Sequence, residues 1–191
     1  MPEASPWKLL LWTAVAGLIF GLIGFGEVAE DWLRVARNGF HKHKASGDIV
    51  ILTIDDKSLH EVGNWPWPRR TDAQLIDRLT AAGTKRIFLD INFAFVSNPA
   101  DDNAFAEAIR RSGRVTLFAR PKVGPFAEAQ KQGNSLAPLP LFTRHAKIAA
   151  ASFYYNYQNA VWRVPYAMTV RNQTVPTFGA ALAGVSGSPR Q

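Results

Sequence analysis

Residues 71–119 read TDAQLIDRLTAAGTKRIFLDINFAFVSNPADDNAFAEAIRRSGRVTLFA. Two periodicities alternate along this stretch. In 71–82, Leu75, Ile76 and Leu79 fall at helical spacing, and Gly83 is suited to end the helix. Residues 85–93, KRIFLDINF, form a short apolar run with strand character that ends near Asp90. Asp101 or Asp102 then caps a second helix that runs to Arg111, turns Phe105, Ala108 and Ile109 inward and stops at Gly113. Residues 114–119, RVTLFA, are a further strand.

Upstream, 48–55 reads DIVILTID, a continuous β-branched run of the kind found in strands covered on both faces. Strand, helix, strand, helix, strand with short links predicts a parallel sheet with right-handed crossovers. Downstream, 121–140 is a long surface loop rich in Gly, Pro and Gln, and 141–146 is a short helix. A strand follows at 148–155, IAAASFYY. A hairpin of 161–170 with 173–175 turns about Arg171–Asn172, and Pro176 opens a last helix over 177–183. The expected fold class is α/β: a three-layer-like, mostly parallel sheet with flanking helices and a C-terminal antiparallel hairpin, preceded by one transmembrane helix.

The 191 residues are 47% apolar and carry a formal charge of +7, enough for one domain with a real core. The absence of cysteine excludes a disulfide scaffold, Cys-ligated zinc, iron–sulfur clusters and thiol catalysis. A pI near 10 invites a nucleic-acid reading, but acids are interspersed with the bases and no recognition motif is present, so no nucleic-acid partner is expected. No G-x-S-x-G, Walker loop or H-E-x-x-H occurs, and His60 and His145 have no triad partners at a recognisable spacing. The expectation is a protein that is not itself an enzyme, with no cofactor and no metal centre.

Residues 7–26, WKLLLWTAVAGLIFGLIGFG, contain one charge, Lys8, at the edge. As a helix this run would span about 30 Å, the thickness of a hydrocarbon core. Trp7 and Trp12 suit the headgroup level at one end and Trp32 near the other. A membrane anchor, a cleaved signal peptide with a small-x-small site at Gly24–Gly26, and a buried core helix are the competing readings. The lack of a polar face argues against the third. The anchor reading contacts membrane lipid through 7–26. Lys8 favours a cytoplasmic start and an exported body, while Arg34, Arg37, Lys42 and Lys44 argue the other way. Residues 27–44 continue as a juxtamembrane helix that ends in a basic cluster at His41–Lys44. The expected organisation is a tail and anchor over 1–26, a linker helix over 27–47 and a body over 48–191.

Ligands of parallel α/β sheets sit at the carboxyl ends of strands. Asp55 and Asp56 end the first expected strand and Asp90 lies near the end of the second, so three carboxylates could hold Mg²⁺ there for phosphoryl transfer. The competing reading makes Asp56 the cap of a turn over 56–60, and Asp90 an acceptor of backbone N–H groups or an arginine partner. Between them, 64–70 reads NWPWPRR. Its prolines stiffen a strap that carries Trp65 and Trp67, and Arg69 could clamp a carboxylate, with Asp90 or Asp55 as candidates. The strap is either a binding lid for an apolar or cationic ligand or a packed cover over the end of the sheet.

DIVILTIDDKSLHEVGNWPWPRR, then AAGTKRIFLDINF, then Asp101–Asp102 resemble the second type of CHASE domain, the cyclase/histidine-kinase-associated sensory extracellular module. The matching residues are Asp55, Asp56, Ser58 and Leu59, the strap Trp65 to Arg69, the turn Ala82-Gly83-Thr84-Lys85, and Asp90. AASFYYNYQNAVWRVPYAMTV resembles the closing hairpin of that family, with Arg163 at its usual arginine and Asn159-Ala160 where Asp-Gly is usual. Residues 176–183 resemble its terminal helix. The resemblance covers 48–184. It implies an extracytoplasmic input module in the inner membrane, with its body in the periplasm or outside the cell. Such a module takes a small ligand or protein signal and commonly works as a dimer. In such proteins further spans follow, with a cytoplasmic output such as a nucleotide cyclase, a cyclic di-GMP phosphodiesterase or a kinase; none occurs within these 191 residues. The ligand-binding or structural-lid residues it points to are Asp55, Asp56, Trp65, Trp67, Arg69, Asp90 and Arg163.

Overall fold

The computed structural model describes residues 6–23, 25–42, 44–121, 136–151, 161 and 164–187. The chain forms two compact units, Met1–Thr53 and Ile54–Gln191.

In the first unit, helix α1 spans Pro6–Ile23 and α2 spans Phe25–Phe40. The apolar side chains of α1 are exposed on all sides, with Trp7 and Trp12 about as open as Leu9 and Leu18. Among the described residues no helix is long and apolar enough to cross a membrane. Of the single helix expected over 7–26, α1 holds the part through Ile23, 18 residues or about 27 Å at 1.5 Å each, α2 holds the part from Phe25, and residue 24 lies outside the described residues. Helix α2 forms most of the expected juxtamembrane helix but stops at Phe40, short of the basic cluster. Glu30 and Arg34 pair across one of its turns.

The strand expected over 48–55 is not a strand. Ile49, Val50, Ile51 and Leu52 are 60–81% exposed, and no described segment forms a ladder with them. A β-branched run fits a pleated surface but does not create one, because a strand exists only through the partner that takes its backbone hydrogen bonds. The end of the run goes to a different use. Asp55 becomes the N-cap of α3 (Asp56–Val62), so the cap expected at Asp56 sits one residue earlier.

The second unit holds the expected sheet. After α4 (Arg69–Ala81) come β1 (Ile87–Leu89), α5 (Pro99–Ser112), β2 (Val115–Ala119), α6 (Pro140–Thr143) and β3 (Lys147–Ala150). The three strands are parallel in the order β1-β2-β3, with Ile87 opposite Val115 and Leu117 opposite Ile148. Strands β1 and β3 are shorter than the apolar runs around them; β3 ends at Ala150, Ala151 is not in the strand, and 152–155 of the expected strand lie outside the described residues. The 121–140 loop is described at its ends, where Arg120 and Leu136 bridge.

The cap of α5 differs from the expectation. Asn98 caps it, accepting hydrogen bonds from Ala100 and Asp101 N–H, Pro99 opens it, and Asp101 and Asp102 occupy the first turn. Proline at the first position lacks the N–H that would go unpaired there. Gly113 ends the helix in the left-handed region, φ 61°, as expected. Helices α4 and α5 cover one side of the sheet. Ile76, Phe105, Ala108, Ile109, Leu117 and Phe142 are fully buried there, and Phe105 stacks near both Phe93 and Phe142. Thr80 Oγ donates to Ser112 Oγ at 2.9 Å, tying the ends of the two helices together.

The hairpin is β4 (Ala167–Val170) with β5 (Gln173–Pro176). Its turn is Arg171–Asn172, both at positive φ (46° and 64°), the two-residue geometry that matches strand twist. Pro176 ends β5 instead of opening a helix. Thr177 is the N-cap of α7 (Phe178–Ala183), accepting the Ala180 N–H while its hydroxyl donates to Pro165 O. A second apolar cluster of Ala119, Ala150, Met168, Val170 and Val175 joins this hairpin to the sheet.

Candidate functional site

Beyond the carboxyl end of β1, the strap, the first turn of α4 and the 91–97 segment enclose a cavity of about 480 Å³. That is within the range of small-molecule sites. Trp65 and Trp67 line it, packed edge to face with ring centroids 5.6 Å apart. Trp67 Nε1 donates to Gly63 O at 2.7 Å, which fixes that indole. The Trp65–Pro66 peptide is cis.

Arg69 is the anchor of the strap. Its side chain is buried, and its guanidinium bonds Asp102 at 2.7 Å and donates to the Phe95 carbonyl. The same group lies over Phe93 and Phe142, 5.6 and 5.1 Å from the ring centroids. A buried guanidinium is tolerated when a carboxylate neutralises it and its remaining donors are met. Asp102 completes the set by accepting the Ser97 N–H at 3.1 Å. The expected carboxylate partner of Arg69, Asp90 or Asp55, is therefore replaced by Asp102, a residue from the first turn of α5. Next to it, Arg70 pairs with Asp101 at 3.1 Å.

One acid on the cavity wall is treated differently. Asp72, one helical turn after Arg69, is only 4% exposed. Its carboxylate makes no hydrogen bond or ion pair with any described residue. Burial pushes it up to about 6, against the opposing field of Arg69. The cavity thus has two bases, each already matched by an acid, and one acid that is not matched.

The sequence-predicted residues divide accordingly. Trp65, Trp67 and Arg69 come together at the cavity. Asp55 and Asp56 serve α3. The Asp55 carboxylate accepts the Ser58 N–H at 2.9 Å and its hydroxyl at 2.7 Å, which holds it below the usual carboxylate range. Asp90 follows β1, is exposed, and is raised by partial burial. Among the described residues no three His, Asp or Glu side chains are placed to hold a metal, so Asp55, Asp56 and Asp90 do not form the Mg²⁺ site weighed above. Arg163 lies outside the described residues. Sequence reasoning missed Asp72 and Arg70. For Asp72 the signal available was its spacing from Arg69: with the strap opening a helix, position i+3 faces the same way as Arg69; for Arg70, at i+1, spacing gives no such signal.

Residues 9–190 match the CHASE2 domain. The chain belongs to the CHASE2 domain family. CHASE2 is a sensory extracellular domain family, which supports a sensory role for the chain. The CHASE2 match begins inside α1, so the helical unit belongs to the family pattern as well as the α/β unit. No curated protein and no solved structure matches the chain.

Proposed function

We propose that this CHASE2 chain is the extracytoplasmic signal-input part of a bacterial-type signalling protein, tethered to the inner membrane through α1 and acting on a cytoplasmic output rather than catalysing a reaction itself. The observation that carries the reading is the family match across 9–190, which joins an apolar helix to a sensory body. The exposed, one-charge surface of α1 supports the tether, since such a surface is unfavourable in water and suited to lipid. The strap cavity supports the input role. Its walls include two indoles and a buried carboxylate that makes no hydrogen bond with any described residue, a pre-formed site with a polar group left to bond. Occupancy would bias the strap and the start of α4 between two arrangements, the form a signal takes in a non-catalytic sensor.

The test is a pair of reporter fusions after Gln191, one active only outside the cytoplasm and one only inside, combined with fractionation of the intact chain. The expected result is membrane-bound protein with signal from the external reporter. Recovery of the intact chain wholly in the aqueous fraction, or signal only from the internal reporter, contradicts the proposal.

A further inference from the structure

A parallel sheet sets the starts of its strands side by side, and here every start carries a base. Lys85 and Arg86 precede β1, Arg114 precedes β2, and Lys147 opens β3. All four line a second cavity of about 670 Å³, bounded also by the hairpin and α7, and among the described residues no acid lines it. It lies at the opposite end of the strands from the tryptophan strap.

The donors of these bases are incompletely used. Arg86 Nη1 donates to the last carbonyls of α7, Ala181 at 3.2 Å and Leu182 at 2.9 Å. Arg114 Nη1 donates to Thr84 O at 2.8 Å. A guanidinium has five N–H donors, so both retain several. The Lys85 and Lys147 ammonium groups make no hydrogen bond or ion pair with any described residue. Between the bases, on the floor of the cavity, Thr116 is 5% exposed, and its hydroxyl makes no hydrogen bond with any described residue. A buried hydroxyl without a partner costs free energy unless something fills the site. The remaining wall is mainly apolar, with Phe88 and Tyr166 among it, and carries the hydroxyls of Thr174 and Ser186.

We propose that this cavity binds a small amphipathic organic anion, its oxyanion held by Lys85, Lys147 and the Thr116 hydroxyl and its apolar body against Phe88 and Tyr166. The proposal goes beyond the sensory reading, which uses the strap cavity, by assigning a second site and its ligand class, and it rests on that reading for what binding would signal. Binding itself is measured without it. Four cations around one cavity repel one another, and an oxyanion removes that repulsion while supplying the acceptors the site lacks. A neutral or cationic molecule does neither.

The probes are phenyl phosphate, phenylacetate, inorganic phosphate and benzyl alcohol, each titrated by calorimetry into the full chain in detergent micelles. Saturable binding of phenyl phosphate or phenylacetate is expected, and which of the two binds tighter identifies the oxyanion. Benzyl alcohol gives no heat, and inorganic phosphate binds more weakly than phenyl phosphate. Lys85→Gln with Lys147→Gln is expected to weaken the bound probe by about a hundredfold, since each lost charge-assisted bond contributes roughly a factor of ten. Thr116→Val gives a smaller loss. A Trp67→Ala variant leaves the affinity unchanged, which separates this site from the strap cavity and from any failure of the membrane reading. The lysines are exposed, so their variants keep the wild-type circular dichroism. The proposal is overturned if neither aromatic anion binds the folded chain, if the double lysine variant binds as tightly as wild type, or if inorganic phosphate binds as well as phenyl phosphate.

Discussion

At the residue scale, two acids alike in burial, Asp72 on α4 and Asp102 on α5, but opposite in satisfaction give opposite expectations. Asp102 is neutralised by Arg69 and further bonded by Ser97 N–H. Arg69→Ala strands that carboxylate in the interior, and urea denaturation should register a loss of about 3–5 kcal/mol. Asp72 has no such partner, and its folded-state value of about 6 stands above the 3.8 of an ordinary aspartate. Between pH 4 and 6 the folded chain therefore holds a proton the unfolded chain has released. Stability from this group is fully present below about pH 4, falls as the pH rises through 6, and stays lost above it. Asp72→Asn removes the charge at nearly constant size. At pH 8 it should raise stability by about 1–3 kcal/mol, taking 1.36 kcal/mol per pKa unit, and at pH 3.5 it should change little. Urea melts of both proteins at the two pH values decide this; a variant no more stable than wild type at pH 8 would mean that Asp72 is ionised without cost. A site residue that destabilises the empty fold is a place where binding energy can be recovered.

At the element scale, short-range signals tell different amounts about different pieces. The stop of α5 was legible because Gly113 takes a left-handed φ of 61° that other residues adopt with strain. Its start was not, because three neighbouring cap formers, Asn98, Asp101 and Asp102, compete within five residues and only Pro99 breaks the tie. Asn98→Ala should cost about 1 kcal/mol in thermal or urea melts, while Asp101→Ala, which leaves the cap intact, acts through the loss of its Arg70 pair. The hairpin turn was legible from Arg171–Asn172, yet Pro176 was assigned to the wrong side of the boundary. Proline suits the end of an edge strand as well as the start of a helix, and the Thr177 side chain settles it by capping. The run 48–55 failed for a different reason. Its composition specifies strand, but pairing is a property of two segments, and one segment alone cannot announce whether its partner edge is taken. For the candidate site the same division holds. The tryptophans and Arg69 were conspicuous as residues, whereas the identity of the Arg69 partner depended on α5 folding over α4, which no local pattern encodes.

For the whole molecule, the two units differ in what holds them. Ile54–Gln191 has buried clusters on the sheet and under the hairpin, with aromatic contacts among Phe93, Phe105 and Phe142. The described residues of Met1–Thr53 form two helices and a segment over 44–53 without helix or ladder, and their large apolar side chains are mostly exposed. Local opening follows the density of buried contacts, so proteolysis should sort the units. Lys42 and Lys44 are exposed where α2 has ended, and the described backbone from Lys44 to Asp55 forms no helix or ladder. Brief trypsin treatment of the full chain in detergent micelles is expected to cut first at Lys42 or Lys44. The product would be a fragment beginning at 43 or 45 that resists further cleavage over the time in which the intact chain disappears. Lys85 and Arg114 are also exposed, but they adjoin β1 and β2, where cutting requires the sheet to open. N-terminal sequencing and mass spectrometry of the first fragments separate the outcomes: early cuts after Lys85 or Arg114 would show that the sheet opens as readily as the linker, and that the cluster around Phe105 does not hold the α/β unit together by itself.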